Sequence, residues 1–144
     1  MDYMQAFRIS AAGMAVEKMR LELTAANLAN MHSAAARPEE VYRPLRLQVE
    51  AVPLGFSRQF ERMSVTSGGG ARVTAVVPLE VEPRMVHEPG HPYADAKGFV
   101  AYPAVDHASE MLNLNLAVRT YEANLVAMNA AKTMASRTLE IGRG

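Results

Sequence analysis

The stretch MQAFRISAAGMAVEKMRLELTAANLAN, residues 4–30, decides the architecture. It holds no proline and a single glycine, and Met4, Phe7, Ala11, Met14, Leu21, Ala25 and Leu28 fall at alternating steps of three and four residues, interrupted at Lys18. That is the spacing of an apolar seam along a helix. Residues 104–144, also free of proline, repeat it with Met111, Leu114, Val118, Tyr121, Leu125, Met128, Ala135 and Leu139, interrupted at Lys132. Two long helices at opposite ends of a 144-residue chain pair most simply with each other. The spacing therefore predicts a mostly α fold: terminal helices over 1–31 and 104–144, paired as a coiled-coil-like hairpin, around a small β-rich insertion over 32–103.

The insertion is set apart by its punctuation. All eight prolines lie between Pro38 and Pro103, and proline interrupts helices. Alternation of apolar and polar residues marks a strand at 45–51, and 71–77, 79–82 and 99–102 are further strand candidates. Gly68-Gly69-Gly70 is expected to be a flexible turn, and His87-Glu88-Pro89-Gly90-His91-Pro92 a bent, rigid loop.

Several function classes drop out. Fifteen Lys and Arg balance fifteen Asp and Glu, so no excess positive charge is available to release counterions from nucleic acid. No apolar run approaches the roughly 18–20 residues that span a bilayer, and no cleaved secretory signal is expected at the N-terminus. Without cysteine there are no disulfides and no thiolate ligands. His87-Glu88-Pro89-Gly90-His91 spells the H-E-x-x-H zinc signature, which works when both histidines share one helical face. Pro89, Gly90 and Pro92 deny it that helix. Glu88, Asp95, Asp106 and Glu110 have no spacing that places two of them in one pocket, and Asp106 is placed to cap the C-terminal helix. The residues thus predict no catalytic set, no cofactor and no metal.

Both helices are also apolar away from the seam. Ile9, Ala12, Val16, Met19, Leu23 and Ala26 recur on the outward side of the first, and Leu112, Leu116, Ala123, Val126 and Ala130 on that of the second. A helix apolar all round must be buried. Either the insertion folds back over these faces, or other subunits cover them, as large apolar patches generally require. The second is the expectation, with Ile9, Val16, Met19, Leu23, Leu116 and Val126 as contact residues. Leu28, Tyr121 and Leu125 belong to the seam, with Asn124 beside it, and all four are nominated as subunit contacts as well. Asn27 and Asn30 are expected to hydrogen-bond across an interface or, for Asn30, to cap the helix end.

Two stretches go beyond periodicity. Leu23-Thr24-Ala25-Ala26-Asn27-Leu28-Ala29-Asn30 resembles the N-terminal signature of flagellar rod and hook proteins. Residues 88–100 (EPGHPYADAKGFV) and 102–106 (YPAVD), continued by Glu110-Met111, 119–124 (RTYEAN), Asn129 and 132–134 (KTM), resemble the proximal-rod members of that axial family. The resemblance implies a structural subunit of the basal-body rod, exported unfolded by the flagellar type III apparatus without a cleaved signal. Such a subunit polymerises within the periplasm through its terminal helices and helps to transmit torque. The partners implied are copies of itself, other rod proteins, the basal adaptor FliE and the export apparatus. A different class, a helical export chaperone or regulator that forms a closed dimer, uses the same apolar helices.

Overall fold

The computed structural model describes residues 3–52 and 69–142 of the chain. Helix α1 (Tyr3–Asn30) is followed by a 3-10 turn at Pro38–Glu40 and by strands β1 (Leu45–Val52), β2 (Gly70–Pro78), β3 (Arg84–His87) and β4 (Phe99–Tyr102); helix α2 (His107–Ile141) closes the order. β1 and β2 form one antiparallel ribbon, with a register shift between Gln48 and Val49, and β3 and β4 form another. A single bridge from Ala35 to Ala101 ties the segment after α1 to β4.

Each helix has an identifiable start or stop. Asp106 caps α2, its carboxylate accepting the Ser109 N–H at 3.0 Å and also the Ser109 hydroxyl. α1 ends where Asn30 Nδ2 donates back to the Ala26 carbonyl at 2.8 Å, with Ser33 Oγ donating to the Asn30 carbonyl at 2.7 Å. The strand expected at 79–82 is absent, although Leu79 N–H still bonds the Pro44 carbonyl at 2.8 Å. The strand that does form, β3, begins directly after Pro83 and pairs with β4. Gly70 is also not a free linker. It opens β2 against α1, and a Cβ there would lie 3.3 Å from the Ala12 Cβ. Gly68 lies outside the described residues.

α1 and α2 pack along one another antiparallel. Tyr3 Oη meets Thr138 Oγ1 at 3.1 Å, Gly13 faces Asn124, and Asn27 meets Glu110. The seam between them is not the apolar one the spacing predicts. Ser10, Glu17, Thr24 and Asn27 are the buried polar residues of α1, and α2 buries Glu110, Ala117 and Ala131. Small and polar side chains let the two backbones approach closely. A Cβ on Gly13 would sit 2.8 Å from Asn124 Oδ1, closer than real Cβ contacts come. Glu17 enters this seam with its charge matched, both carboxylate oxygens accepting from Arg20 Nη1 at 2.8 and 3.0 Å.

The expected seam residues lie about a quarter of a turn round each helix from the true one. Met4, Ala11 and Ala25 on α1 and Met111, Val118, Tyr121, Leu125 and Leu139 on α2 are exposed. This resolves the two interrupting lysines. Lys18 is exposed and pairs with Glu22 at 3.9 Å, and Lys132 is exposed too.

Candidate subunit interface and its anchoring node

A polar node joins the helices to the ribbon. Asn27 is fully buried, 0% exposed, and its amide makes four hydrogen bonds. Nδ2 donates to the Leu45 carbonyl at 3.1 Å and to Glu110 Oε2 at 3.2 Å; Oδ1 accepts the Leu45 N–H at 2.8 Å and the Tyr42 hydroxyl at 2.9 Å. Two donors and two lone pairs are all that an amide possesses. Glu110 is buried as well, and Arg46 Nη1 meets its Oε1 at 2.6 Å. Burial, and after it the Glu110 carboxylate, raises the Tyr42 phenol above its ordinary value, so Tyr42 stays a donor. One asparagine thus fixes the first residue of β1 against both helices.

The node corrects the interface role expected of Asn27: its hydrogen bonds are all used within the chain. Asn124 is half-buried and keeps part of its surface open. It packs against Gly13 of its own α1, and its Nδ2 donates to the Thr120 carbonyl at 2.9 Å. Asn30 is occupied with its own helix end.

On α1 the outward apolar stripe meets the chain's own ribbon. Ile9 and Ala12 lie against Gly70 of β2, Val16 is buried and Leu23 half-buried. The insertion thus folds back over part of this stripe. Val16 in particular is a core residue, whereas Met19 at the margin of the stripe remains exposed.

α2 differs, since among the described elements only α1 packs along it extensively. Val126 is 67% exposed and Leu116 54%, with Leu112 beside them on the outward stripe. Tyr121 and Leu125 are exposed on another side. Because the helices run antiparallel, a displacement of the same sense on each brings their displaced stripes to one side of the pair, away from the ribbon. Leu28, half-buried, shares that side with Tyr121 and Leu125. Of the nominated contact residues, Met19, Leu116, Tyr121, Leu125 and Val126 are exposed, Ile9, Leu23, Leu28, Asn30 and Asn124 are half-buried, and Val16 and Asn27 are buried.

The second polar feature is the β3–β4 loop. Asp95 Oδ1 accepts the N–H groups of Lys97 at 2.8 Å and Phe99 at 2.9 Å, while Glu88 N–H bonds the Gly98 carbonyl at 2.8 Å. Gly98 has φ +79° and sits against His87 and Pro89, a conformation and a closeness that call for glycine. The H-E-x-x-H residues have other partners here. His87 sets its ring edge-on to Phe99 at 5.1 Å, His91 Nδ1 accepts the Tyr93 N–H at 3.1 Å, and Glu88 Oε2 accepts the Tyr102 hydroxyl at 2.9 Å. Among the described residues no group of three His, Asp or Glu side chains could share a metal ion.

The Phe99 N–H, foremost, lowers the Asp95 carboxyl, and the Ser109 hydroxyl, foremost, lowers Asp106. A lowered carboxyl pKa gives stabilisation that is complete above the unfolded value near 4 and is lost as pH falls through the folded one. In an NMR titration from about pH 6 to pH 2, the amides of Lys97, Phe99 and Ser109 are expected to hold through about pH 4 and shift only below it. Movement already centred at the ordinary aspartate value would show that these bonds are not formed.

Comparison with known proteins agrees with this geometry. Residues 96–141, from the β3–β4 loop through α2, match the family model described as the C-terminal region of flagellar basal-body rod FlgEFG proteins. That match, over about a third of the chain, is to the flagellar basal-body rod class, whose members are structural proteins and not enzymes. The chain is 34% identical over 145 residues to the flagellar basal-body rod protein FlgC of Salmonella typhimurium, covering 99% of this chain and 100% of that one. It is 31% identical over 150 residues to FlgC of Bacillus subtilis, at the same coverage, and 31% over 142 residues to FlgC of Aquifex aeolicus, at 97% of each. The chain belongs to the FlgC family of flagellar basal-body rod proteins.

Proposed function

We propose that this subunit builds the proximal rod by laying the uncovered sides of α1 and α2 against neighbouring subunits, in head-to-tail contacts that repeat without closing. The observation that carries this reading is the apolar perimeter of α2. A 35-residue helix that buries only Glu110, Ala117 and Ala131 leaves Leu112, Leu116, Leu125 and Val126 in water. Covering each such side chain is worth about 1.5–3 kcal/mol, so association is strongly favoured once a matching surface is present. Coiled-coil-like packing of the terminal helices with those of neighbours supplies such surfaces. Torque then passes through many helix contacts, and stiffness comes from their number.

Copies of the same chain, other rod proteins and the basal adaptor FliE are the neighbours, and the flagellar type III apparatus is the route to the periplasm. Among the described residues no helix is long and apolar enough to cross a membrane, in keeping with a rod component that is not inserted.

The test is Leu116→Asp combined with Val126→Asp. Both side chains are exposed, so the melting temperature of the isolated chain should stay within about 2 °C of the parent. Association measured by sedimentation velocity should weaken at least about hundredfold. Undiminished association would overturn the reading. Parent chain that stops growing at a sharp dimer would favour the export chaperone or regulator instead.

A further inference from the structure

Residues 79–83 do not pair as a strand, but they close one side of a cleft. Pro38, Val41, Pro44, Val81 and Pro83 line it together with Tyr42 and Arg43. The bond from the Leu79 N–H to the Pro44 carbonyl, at 2.8 Å, ties its two sides together. Proline has no N–H to satisfy and a fixed φ, so three of them give an apolar cleft whose shape exists before anything enters. Its open space is about 30 Å³. A water needs about 10–15 Å³, so the cleft takes the end of one aliphatic side chain and not an aromatic ring. Arg43 is exposed, and its guanidinium has no partner among the described residues.

The other end of the helix pair carries the matching chemistry. Leu139 and Ile141, 72% and 82% exposed, are the most exposed large apolar side chains among the described residues, and Glu140 lies between them. The Glu140 carboxylate, like Arg43, has no partner among the described residues. A second set of opposite charges accompanies the first: Arg137 stands one turn before Glu140, and Glu39 and Glu82 adjoin lining residues of the cleft in sequence, all exposed. One chain cannot bring the two places together. Tyr42 donates to Asn27, which meets Glu110, so the cleft lies at the start of α2. Ile141 is roughly 45 Å further along that helix at 1.5 Å per residue.

We propose that the cleft is a socket for the C-terminal helix end of the adjoining rod subunit, one branched aliphatic side chain entering between the prolines while a carboxylate beside it meets Arg43. The proposal rests on the packing reading given above and names the contact that carries it lengthwise. Removing the aliphatic end from water supplies affinity, and the ion pair fixes which way the helix enters. A subunit with the socket at one end and the plug at the other makes a heterologous contact that does not close.

Because this chain carries both halves, a second copy of it is the probe. Arg43→Glu and Glu140→Arg should each weaken association in sedimentation velocity about tenfold or more, since like charges then face each other. The two changes in one chain should restore it to within about threefold. Ile141→Ser should weaken it about tenfold or more. All three side chains are exposed, so melting temperatures should stay within about 2 °C of the parent. The chain has no cysteine, which makes thiol cross-linking unambiguous. A chain with Arg43→Cys, mixed with one with Glu140→Cys and treated with a short bismaleimide, should give a dimer joined between positions 43 and 140, and neither chain alone should. Single reversals that leave association unweakened, a double reversal that does not restore it, or no link between 43 and 140 would overturn this contact alone, provided Leu116→Asp with Val126→Asp still weakens association. Parent chain that never associates would overturn the packing reading and this proposal with it.

Discussion

Asn27→Ala is expected to lower the stability of the chain by about 3–4 kcal/mol, because a buried donor or acceptor left without its partner costs about 1–3 kcal/mol. The change strands the Leu45 N–H and carbonyl, removes the acceptor of Tyr42 and takes one donor from the buried Glu110. Water has poor access to this site, since Asn27 and Glu110 are both buried and Arg46 closes over the carboxylate. Urea denaturation followed by circular dichroism measures the loss. Asn27→Asp should be no milder, as it trades the two donors for a charge beside Glu110. Tyr42→Phe removes a single bond and should cost about 1 kcal/mol. If Asn27→Ala cost no more than Tyr42→Phe, the node would not be the joint between ribbon and helices.

Gly13→Leu should destabilise by about 1–2 kcal/mol, for a steric reason. Overfilling a packed contact costs about 1–3 kcal/mol and sometimes more, offset by about 1 kcal/mol from replacing glycine within a helix. The first added carbon already meets the Asn124 amide at 2.8–2.9 Å, and that amide is tied to the Thr120 carbonyl. Three further carbons have no room unless the helices part. The sign reverses when the obstacle is removed: Gly13→Ala in an Asn124→Ala background should melt higher than Asn124→Ala alone. A Gly13→Leu chain as stable as the parent would mean that the helices do not approach closely at this level.

The extents of both helices were legible because proline is absent from them and helix formers abound. Strands expected at 45–51, 71–77 and 99–102 form at 45–52, 70–78 and 99–102, the first of them legible from its alternation. β3 was not, because Arg84 and His87 frame only two apolar residues and the better alternation at 79–82 is not held by a partner strand. The helix seam was missed because a search for large apolar residues finds faces that the two helices leave exposed. Its true marker is a seven-residue recurrence of small or polar residues: Ser10, Glu17 and Thr24 on α1, and Glu110, Ala117, Asn124, Ala131 and Thr138 on α2. Lys18 and Lys132, out of place in an apolar seam, were the visible warning. Which helix faces stay open was half legible. Leu116 and Val126 stay exposed as expected, but sequence alone could not show that the ribbon returns over Ile9, Val16 and Leu23 or that Asn27 is saturated within the chain.

The bond between Asn27 and Glu110 spans 83 positions of chain. A polypeptide that emerges N-terminus first cannot make it until three quarters of its length is available, and such long-range closure is slow because a large loop must be drawn together first. α1 has neither its helical partner nor a finished anchor for β1 before that moment. Completion of the molecule is therefore timed by the arrival of its last quarter.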